Sequence, residues 1–106
     1  MNDRKTWKIQ ISQIEKVNVT TSDSKQLGCH LITIHLETQR EHIDIDNINR
    51  IVKEKMYWMS KLFFVRSFFT ELSAYTGAVR LAVNKELEKQ GIICTRLHIK
   101  SVTVYE

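Results

Sequence analysis

The sequence contains no proline and only three glycines among its 106 residues. Disordered tails and linkers are usually richer in both, so we expect residues 1–106 to form one ordered domain. The two cysteines, Cys29 and Cys94, belong to no metal or redox motif. Because Met1–Lys5 is polar and no apolar leader follows it, the sequence predicts a cytoplasmic protein with reduced thiols.

Long apolar runs and blocks of like charge are also missing. Lys61 and Arg66 interrupt the most apolar segment, which therefore falls well short of the ~20 residues of a membrane-spanning helix. The net charge is +4, but the basic residues are scattered along the chain. This distribution excludes a basic nucleic-acid-binding tail and is compatible with an acidic partner.

The most informative segment is Asn47–Tyr75, which we predict to be one long helix capped by Asp46 or Asn47. One broad face of this helix is apolar enough to cover a sheet. That face comprises Ile48, Ile51, Val52, Met56, Trp58, Met59, Leu62, Phe63 and Phe69.

The opposite side of the predicted helix carries a second, mostly apolar stripe at heptad-like spacing. Its members are Tyr57, Lys61, Phe64, Phe68, Leu72 and Tyr75. An apolar stripe of this kind needs a cover. Three covers remain open: the second helix of the same chain, a second copy or another protein, and a membrane surface.

Alternating apolar and polar residues predict long strands before and after the helices. The first covers Trp7–Thr20 with a bulge near Gln13–Ile14, and the polar residues 21–26 form the following loop. The second runs from Cys29 to Glu37 and is expected to continue or bend through Ile43 and Ile45. The third covers residues 93–104, and a phase shift after Ser101 predicts a second bulge.

A second helix is predicted over Ala78–Gln90, after a break at Thr76 and Gly77. Its apolar face contains Val79, Ala82, Val83 and Leu87. Gly91 is suited to a left-handed C-cap, and Ile92 supplies the apolar contact that such caps recruit. The element order is therefore ββααβ. We expect an α+β two-layer sandwich, with an antiparallel sheet of about three or four long strands covered by the long helix and the second helix.

The C-terminal part of the chain resembles the last helix and strand of band-7 (stomatin/prohibitin-like) domains. The resemblance lies in Arg80–Ile92, with its Gly-Ile end, and in the alternating segment Leu97–Val102. Band-7 domains assemble at membranes, so the resemblance implies assembly. The membrane anchor and the long following helix of that family are absent from this sequence.

One predicted strand face is basic. Arg96, His98 and Lys100 recur at period two, and Lys8 of the first strand is expected to join them on the sheet. Such a face suits phosphate or an acidic partner. Sheet-based nucleic-acid readers usually add aromatic side chains for stacking, and here the aromatics are concentrated in the helix instead.

No catalytic or metal-binding motif emerges from the remaining polar residues. The four histidines, His30, His35, His42 and His98, lack the spacing of a metal site. The carboxylates of Glu37, Glu41, Asp44 and Asp46 lie in a polar stretch, so we expect them to be solvated. General acid–base catalysis by paired carboxylates needs one of them to be desolvated. We therefore expect no cofactor and no metal. An enzyme is the less favoured class, with a site formed between subunits left open.

The sequence thus favours a non-enzymatic protein–protein interaction or assembly module. Its expected partner is itself or another protein, bound through the outer face of the long helix at Tyr57, Lys61, Phe64, Phe68, Leu72 and Tyr75. The alternative is a nucleic-acid-binding protein that uses Lys8, Arg96, His98 and Lys100.

Overall fold

The computed structural model describes residues 5–105. The elements are β1 (Trp7–Thr20), β2 (Gln26–Thr38), α1 (Ile45–Ser60), α2 (Val65–Thr70), α3 (Leu72–Leu87) and β3 (Ile92–Tyr105), with a 3-10 turn at Glu88–Gln90. The strands form one antiparallel sheet in the order β1-β2-β3. The predicted α+β two-layer sandwich is confirmed, with three long strands. The polar start Met1–Arg4 and the last residue lie outside the described residues.

The core lies between one face of the sheet and the helices. Helix α1 packs over β1, α3 packs over β3, and the two helices pack on each other. Helix α1 buries Ile48, Ile51, Val52 and Met56, and α3 buries Tyr75, Val79, Val83 and Leu87. The predicted apolar faces are therefore confirmed at these four positions of α1 and at Val79, Val83 and Leu87 of α3.

The prediction of one continuous helix over Asn47–Tyr75 was wrong. Helix α1 ends at Ser60, residues 61–64 turn the chain, and α2 ends at Thr70. Helix α3 then runs without a break through Thr76 and Gly77, where the interruption was expected.

The turn after α1 is fixed by the loop between β1 and β2. The Ser60 hydroxyl donates to the Thr20 carbonyl at 2.9 Å, and the Ser22 amide donates to the Phe63 carbonyl at 2.9 Å. The Val65 amide donates to Asp23 Oδ1 at 3.1 Å, so a loop carboxylate caps the start of α2. These long-range bonds end the helix although no glycine or proline is present in residues 61–64.

Tyr75 holds the three helices together. Its hydroxyl donates to the Met56 carbonyl of α1 at 2.7 Å, and its side chain is fully buried. Its ring lies 4.3 Å from the Phe68 ring and 5.5 Å from the Phe63 ring, measured between centroids. Burial raises the pKa of the Tyr75 phenol, so the hydroxyl remains a donor.

The segment between β2 and α1 also differs from the prediction. Strand β2 ends at Thr38, and Ile45 is the first residue of α1 rather than part of a continuing strand. The N-cap is Asp44, whose Oδ1 accepts from the Asn47 amide at 3.1 Å, instead of Asp46 or Asn47. At the other end, Gly91 adopts the predicted left-handed conformation with φ 71°, and Ile92 is buried.

The pairing register shifts once along each strand interface. The predicted bulge in β1 is confirmed, since the register changes between Ile11 and Ile14. In β3 the shift lies at Thr95, because His35 pairs with Arg96 and Leu36 pairs with Cys94. The bulge predicted after Ser101 is absent from the register. The bulge at Thr95 also reverses which side of the sheet the preceding residues face, so that Cys94 is buried and Ile93 is exposed.

Near Ser101, the alternation between side chains that face the helices and side chains that face outward reverses. The reversal occurs at the same level in all three strands. In β3, Ile99 and Val102 both face the helices, while Lys100 and Ser101 between them are both exposed. The same pattern occurs at Glu15–Lys16 of β1 and at His30–Leu31 of β2. The strand pairing is the same on both sides of this level. Leu31 carries the change in β2 with φ 53°.

Two glycines provide a matched test of the helix boundaries. Gly77→Ala should stabilise the protein by ~0.5–1 kcal/mol, because Gly77 is inside α3 and an added Cβ meets no atom within 4 Å. Gly91→Ala should destabilise it by ~1 kcal/mol, because residue 91 has positive φ. Urea unfolding followed by circular dichroism measures both. A destabilised Gly77→Ala would contradict the continuous α3.

The Tyr75 hydrogen bond provides a second test. Tyr75→Phe should lower the free energy of unfolding by ~1–2 kcal/mol, since it removes a buried bond and keeps the ring. The control is Tyr57→Phe, whose partly exposed ring should change stability by less than ~0.5 kcal/mol. Equal stability of the two variants in urea would show that the hydroxyl does not link α1 and α3.

Candidate functional site: an exposed aromatic corner and a basic sheet face

The predicted stripe on the outer side of the long helix is divided by the turn after α1. Phe68 and Tyr75 are buried in the core, and Leu72 is half-buried. Placing these three residues on an outer face was wrong, because the stripe assumed a single straight helix. Tyr57, Lys61 and Phe64 remain at the surface.

Three residues assigned to the core face are instead exposed. Trp58 is 61% exposed, Leu62 is 70% exposed and Phe69 is 57% exposed. Leu62 and Phe69 were misplaced because the helical wheel continued past Ser60, where the helix ends, whereas Trp58 lies within α1 on its exposed side. The signal in the sequence was the second apolar side itself, since a helix that is apolar all round is either fully buried or not one helix.

Together with the exposed part of the predicted stripe, these residues lie in the segment from the end of α1 to the end of α2, here called the aromatic corner. It comprises Tyr57, Trp58, Lys61, Leu62, Phe64 and Phe69. The Tyr57 and Trp58 rings meet edge to face with centroids 5.5 Å apart. Lys61 Nζ lies 4.5 Å from the Tyr57 ring centre and 4.6 Å from that of Trp58, which places a cation between two rings.

The backbone of the aromatic corner is held in place by Asp23. Besides capping α2, Asp23 Oδ1 accepts a hydrogen bond of 2.5 Å from the Thr21 hydroxyl. This hydrogen bond is the main reason that the pKa of Asp23 lies below its ordinary value. The exposed side chains therefore project from a fixed turn rather than from a loose loop.

The second predicted surface is the sheet face opposite the helices. Arg96, His98 and Lys100 are exposed on β3, as the period-two pattern predicted. His35 of the central strand pairs with both Arg96 and Gln10, and His98 pairs with Thr33. Across this face the side chains are mainly polar and basic.

Lys8 belongs to the same face but lies apart from the cations of β3. It is on β1, two strand spacings or roughly 10 Å from β3. Lys8 Nζ lies 4.0 Å from Glu37 Oε1, so its charge has a weak partner on the neighbouring strand. The basic face is therefore centred on Arg96, His98 and Lys100.

The two thiols are far from this face. Cys29 and Cys94 are free and buried on the helix side of the sheet. Burial raises the pKa of Cys29 to about 12 and also raises the pKa of Cys94. Thiols of this kind are poor nucleophiles because the thiolate is suppressed. Neither His35 nor His98 approaches Cys94, since the histidines point to the opposite face.

The remaining histidines and carboxylates of the described part of the chain are spread over the fold. Within residues 5–105, no three histidine, cysteine or carboxylate side chains converge to hold a metal ion. A depression lies at one end of the sheet, and Glu37, Glu41 and Glu88 are its acidic lining residues. Arg40, beside them, donates to the Gln90 carbonyl at 3.1 Å and so has a structural role.

None of the described helices is long and apolar enough to cross a membrane.

No protein-family model matches the chain, and no curated protein is recognisably similar to it. The resemblance of Arg80–Ile92 and Leu97–Val102 to band-7 domains therefore receives no support from family models. What the protein does has to be argued from its own surfaces.

Proposed function

We propose that the protein is a non-enzymatic protein–protein interaction or assembly module, and that the aromatic corner is its contact surface. The observation that carries this proposal is that four large apolar side chains of this short segment are each more than half exposed. They are Trp58, Leu62, Phe64 and Phe69, with exposed fractions of 61%, 70%, 63% and 57%. Grouped exposed apolar side chains mark contact surfaces, because covering them releases water from apolar area.

The composition of the aromatic corner supports this assignment. Trp and Tyr are over-represented among the residues that dominate binding energy, because they bury a large area with few rotatable bonds. Lys61 lies against both rings and supplies a polar rim. The hydrogen bonds of Asp23 fix the turn before binding, which lowers the entropy cost of association.

Self-association is the simplest form of such assembly, since most soluble oligomers consist of identical subunits. The buried, weakly acidic thiols support a non-enzymatic role, because neither offers an accessible nucleophile. The contact would be largely apolar, so it should persist at high salt.

A second candidate function is nucleic-acid binding through the basic sheet face. The favouring observation is that Arg96, His98 and Lys100 are exposed side by side on an open face. The only Phe, Tyr or Trp ring of β3 is that of Tyr105, and Lys16 Nζ covers it at 4.8 Å from its centre. This arrangement offers phosphate contacts without a free stacking platform.

The aromatic corner can be tested by light scattering after size exclusion, from micromolar to hundreds of micromolar protein. Trp58→Lys combined with Phe64→Lys should shift association to at least ~10-fold higher concentration, because it places charge in the centre of the contact. The control is Leu81→Lys combined with Ile93→Lys, which changes two residues of similar exposure elsewhere. The same mass profile for both double variants would refute self-association through the aromatic corner.

The basic face can be tested by fluorescence anisotropy with a labelled single-stranded oligonucleotide at low and high salt. If nucleic acid binds, Arg96→Ala combined with Lys100→Ala should weaken binding and lower the salt slope by about 1 for each phosphate that is no longer neutralised. Lys53→Ala combined with Lys85→Ala removes the same charge from exposed helix positions and should have little effect. Equal weakening in both variants would indicate a general charge effect without a site.

A further inference from the structure

The outer edge of β3 is protected only in its first part. Strand β3 is at the edge of the sheet. In the first part of β3, Asn84 of α3 covers the backbone of Cys94. The Cys94 amide donates to Asn84 Oδ1 at 2.7 Å, and Asn84 Nδ2 donates to the Cys94 carbonyl at 3.0 Å. Between Leu97 and Val104, no side chain among the described residues bonds to the main chain of this strand. An uncovered edge of this length is a template for another strand.

The contact of Asn84 with Cys94 also shows which residues present their backbone to that edge. In an extended strand, residues on the same face of the sheet direct their N–H and C=O groups to the same side. Cys94 faces the helices and directs both groups away from β2, toward Asn84. Leu97, Ile99 and Val102 also face the helices, and Val104 follows Val102 at period two. These four residues therefore present their backbone groups to the open edge.

The reversal of alternation gives this edge an internal symmetry. Residues that face the helices lie on either side of the Lys100–Ser101 peptide: Ile99 before it and Val102 after it, then Leu97 and Val104. A regular strand paired antiparallel about such a peptide would oppose residues of opposite faces. Because the alternation reverses at Lys100–Ser101, each residue instead lies opposite a residue that faces the same side of the sheet.

We propose that β3 pairs antiparallel with β3 of a second copy of the chain, with the two-fold axis at the Lys100–Ser101 peptide. On the helix side, Leu97 is then opposite Val104 of the second copy, and Ile99 is opposite Val102. On the outer side the facing pairs are Arg96 with Tyr105, His98 with Thr103, and Lys100 with Ser101. The two sheets become one continuous sheet of twice the width.

The facing pairs are complementary in charge and polarity. Apolar residues meet apolar residues on the helix side, and each pair there can exchange two backbone hydrogen bonds. Val104, which is 40% exposed in the single chain, gains a cover. No cation faces a cation directly, since Lys100 lies opposite a serine and Arg96 lies opposite Tyr105. Any other register opposes inner and outer residues near Lys100–Ser101.

The other sheet edge is less suited to this pairing. Strand β1 has the same reversal at Glu15–Lys16, but its bulge between Ile11 and Ile14 interrupts the matching on one side. Bulges are a feature by which edge strands avoid pairing, and in β1 the bulge lies within the stretch that would pair. In β3 the bulge at Thr95 lies just outside the stretch that pairs.

This dimer goes beyond the proposed function, because it uses the sheet edge and none of the residues of the aromatic corner. The two surfaces can therefore be tested separately. A protein with Trp58→Lys and Phe64→Lys should still form the β3 dimer while losing any further association.

Disulfide trapping tests the pairing and its register. A variant with His98→Cys and Thr103→Cys should form a covalent dimer under mild oxidation, because directly opposed outer residues come within ~4.5 Å between Cα atoms, near the spacing that disulfides need. Within one chain the two positions are roughly 16 Å apart, which prevents an internal link. The native thiols are buried and do not compete. Mass spectrometry should identify a link between positions 98 and 103.

Each single variant is a control and should give little covalent dimer, since the matching thiol is absent. Glu15→Cys with Lys16→Cys tests the other edge in the same way. Efficient trapping at β1 instead of β3, or no trapping at either edge in protein that retains its circular dichroism, would overturn the proposal.

Charge at the axis provides a second, reversible readout. Ser101→Lys places a cation opposite Lys100 of the second copy twice in each dimer, and should weaken the dimer roughly tenfold at low salt. Ser101→Glu should strengthen it by a similar factor. Ser101 is exposed, so both variants should fold. Equal dissociation constants for both, measured by analytical ultracentrifugation, would contradict the assigned register.

Discussion

The arrangement of the helices depends on the buried side chain of Tyr75. Its hydroxyl bonds to the Met56 carbonyl of α1 at 2.7 Å, while its ring packs against Phe63 and Phe68. A buried phenol needs a hydrogen-bond partner, and this requirement sets the position of α3 relative to α1. Because these aromatic side chains fill the inside of the turn, Phe64 and Phe69 beside them are left outside. The aromatic corner is thus a consequence of the same packing that forms the core.

The turn after α1 illustrates what local sequence patterns cannot reveal. Residues 47–75 contain no glycine or proline, so the residues that usually mark a helix end favour one helix. The helix ends because Ser60, Phe63 and Val65 bond to the loop between β1 and β2, which is distant in sequence. Conversely, Gly77 looked like a break but lies in a continuous helix, because helix packing outweighs its small propensity cost. The predicted partner surface was divided for this reason alone.

Features that depend on local chemistry were predictable from the sequence. The strand alternation, the bulge in β1, the left-handed cap at Gly91 and the buried face of α3 all follow from residue type and spacing. The exposed positions of Arg96, His98 and Lys100 were also predictable. The reversal at Glu15–Lys16, His30–Leu31 and Lys100–Ser101 was not, because it requires three strands to change together. In the sequence only the apolar residues around Lys100–Ser101 hinted at it, and a bulge explains that hint equally well.

The reversal also connects the proposed β3 dimer with the basic sheet face. A two-fold axis at Lys100–Ser101 would bring Arg96, His98 and Lys100 of two copies onto one continuous face. Each Lys100 would then lie diagonally near its counterpart, and the repulsion between them would favour a bound anion. An anionic ligand on that face would in turn stabilise the dimer, since binding to the paired state alone shifts the equilibrium toward it. Self-association through β3 and phosphate binding would therefore be linked in one sheet, whereas the aromatic corner, on the helix layer, would stay free for a separate contact.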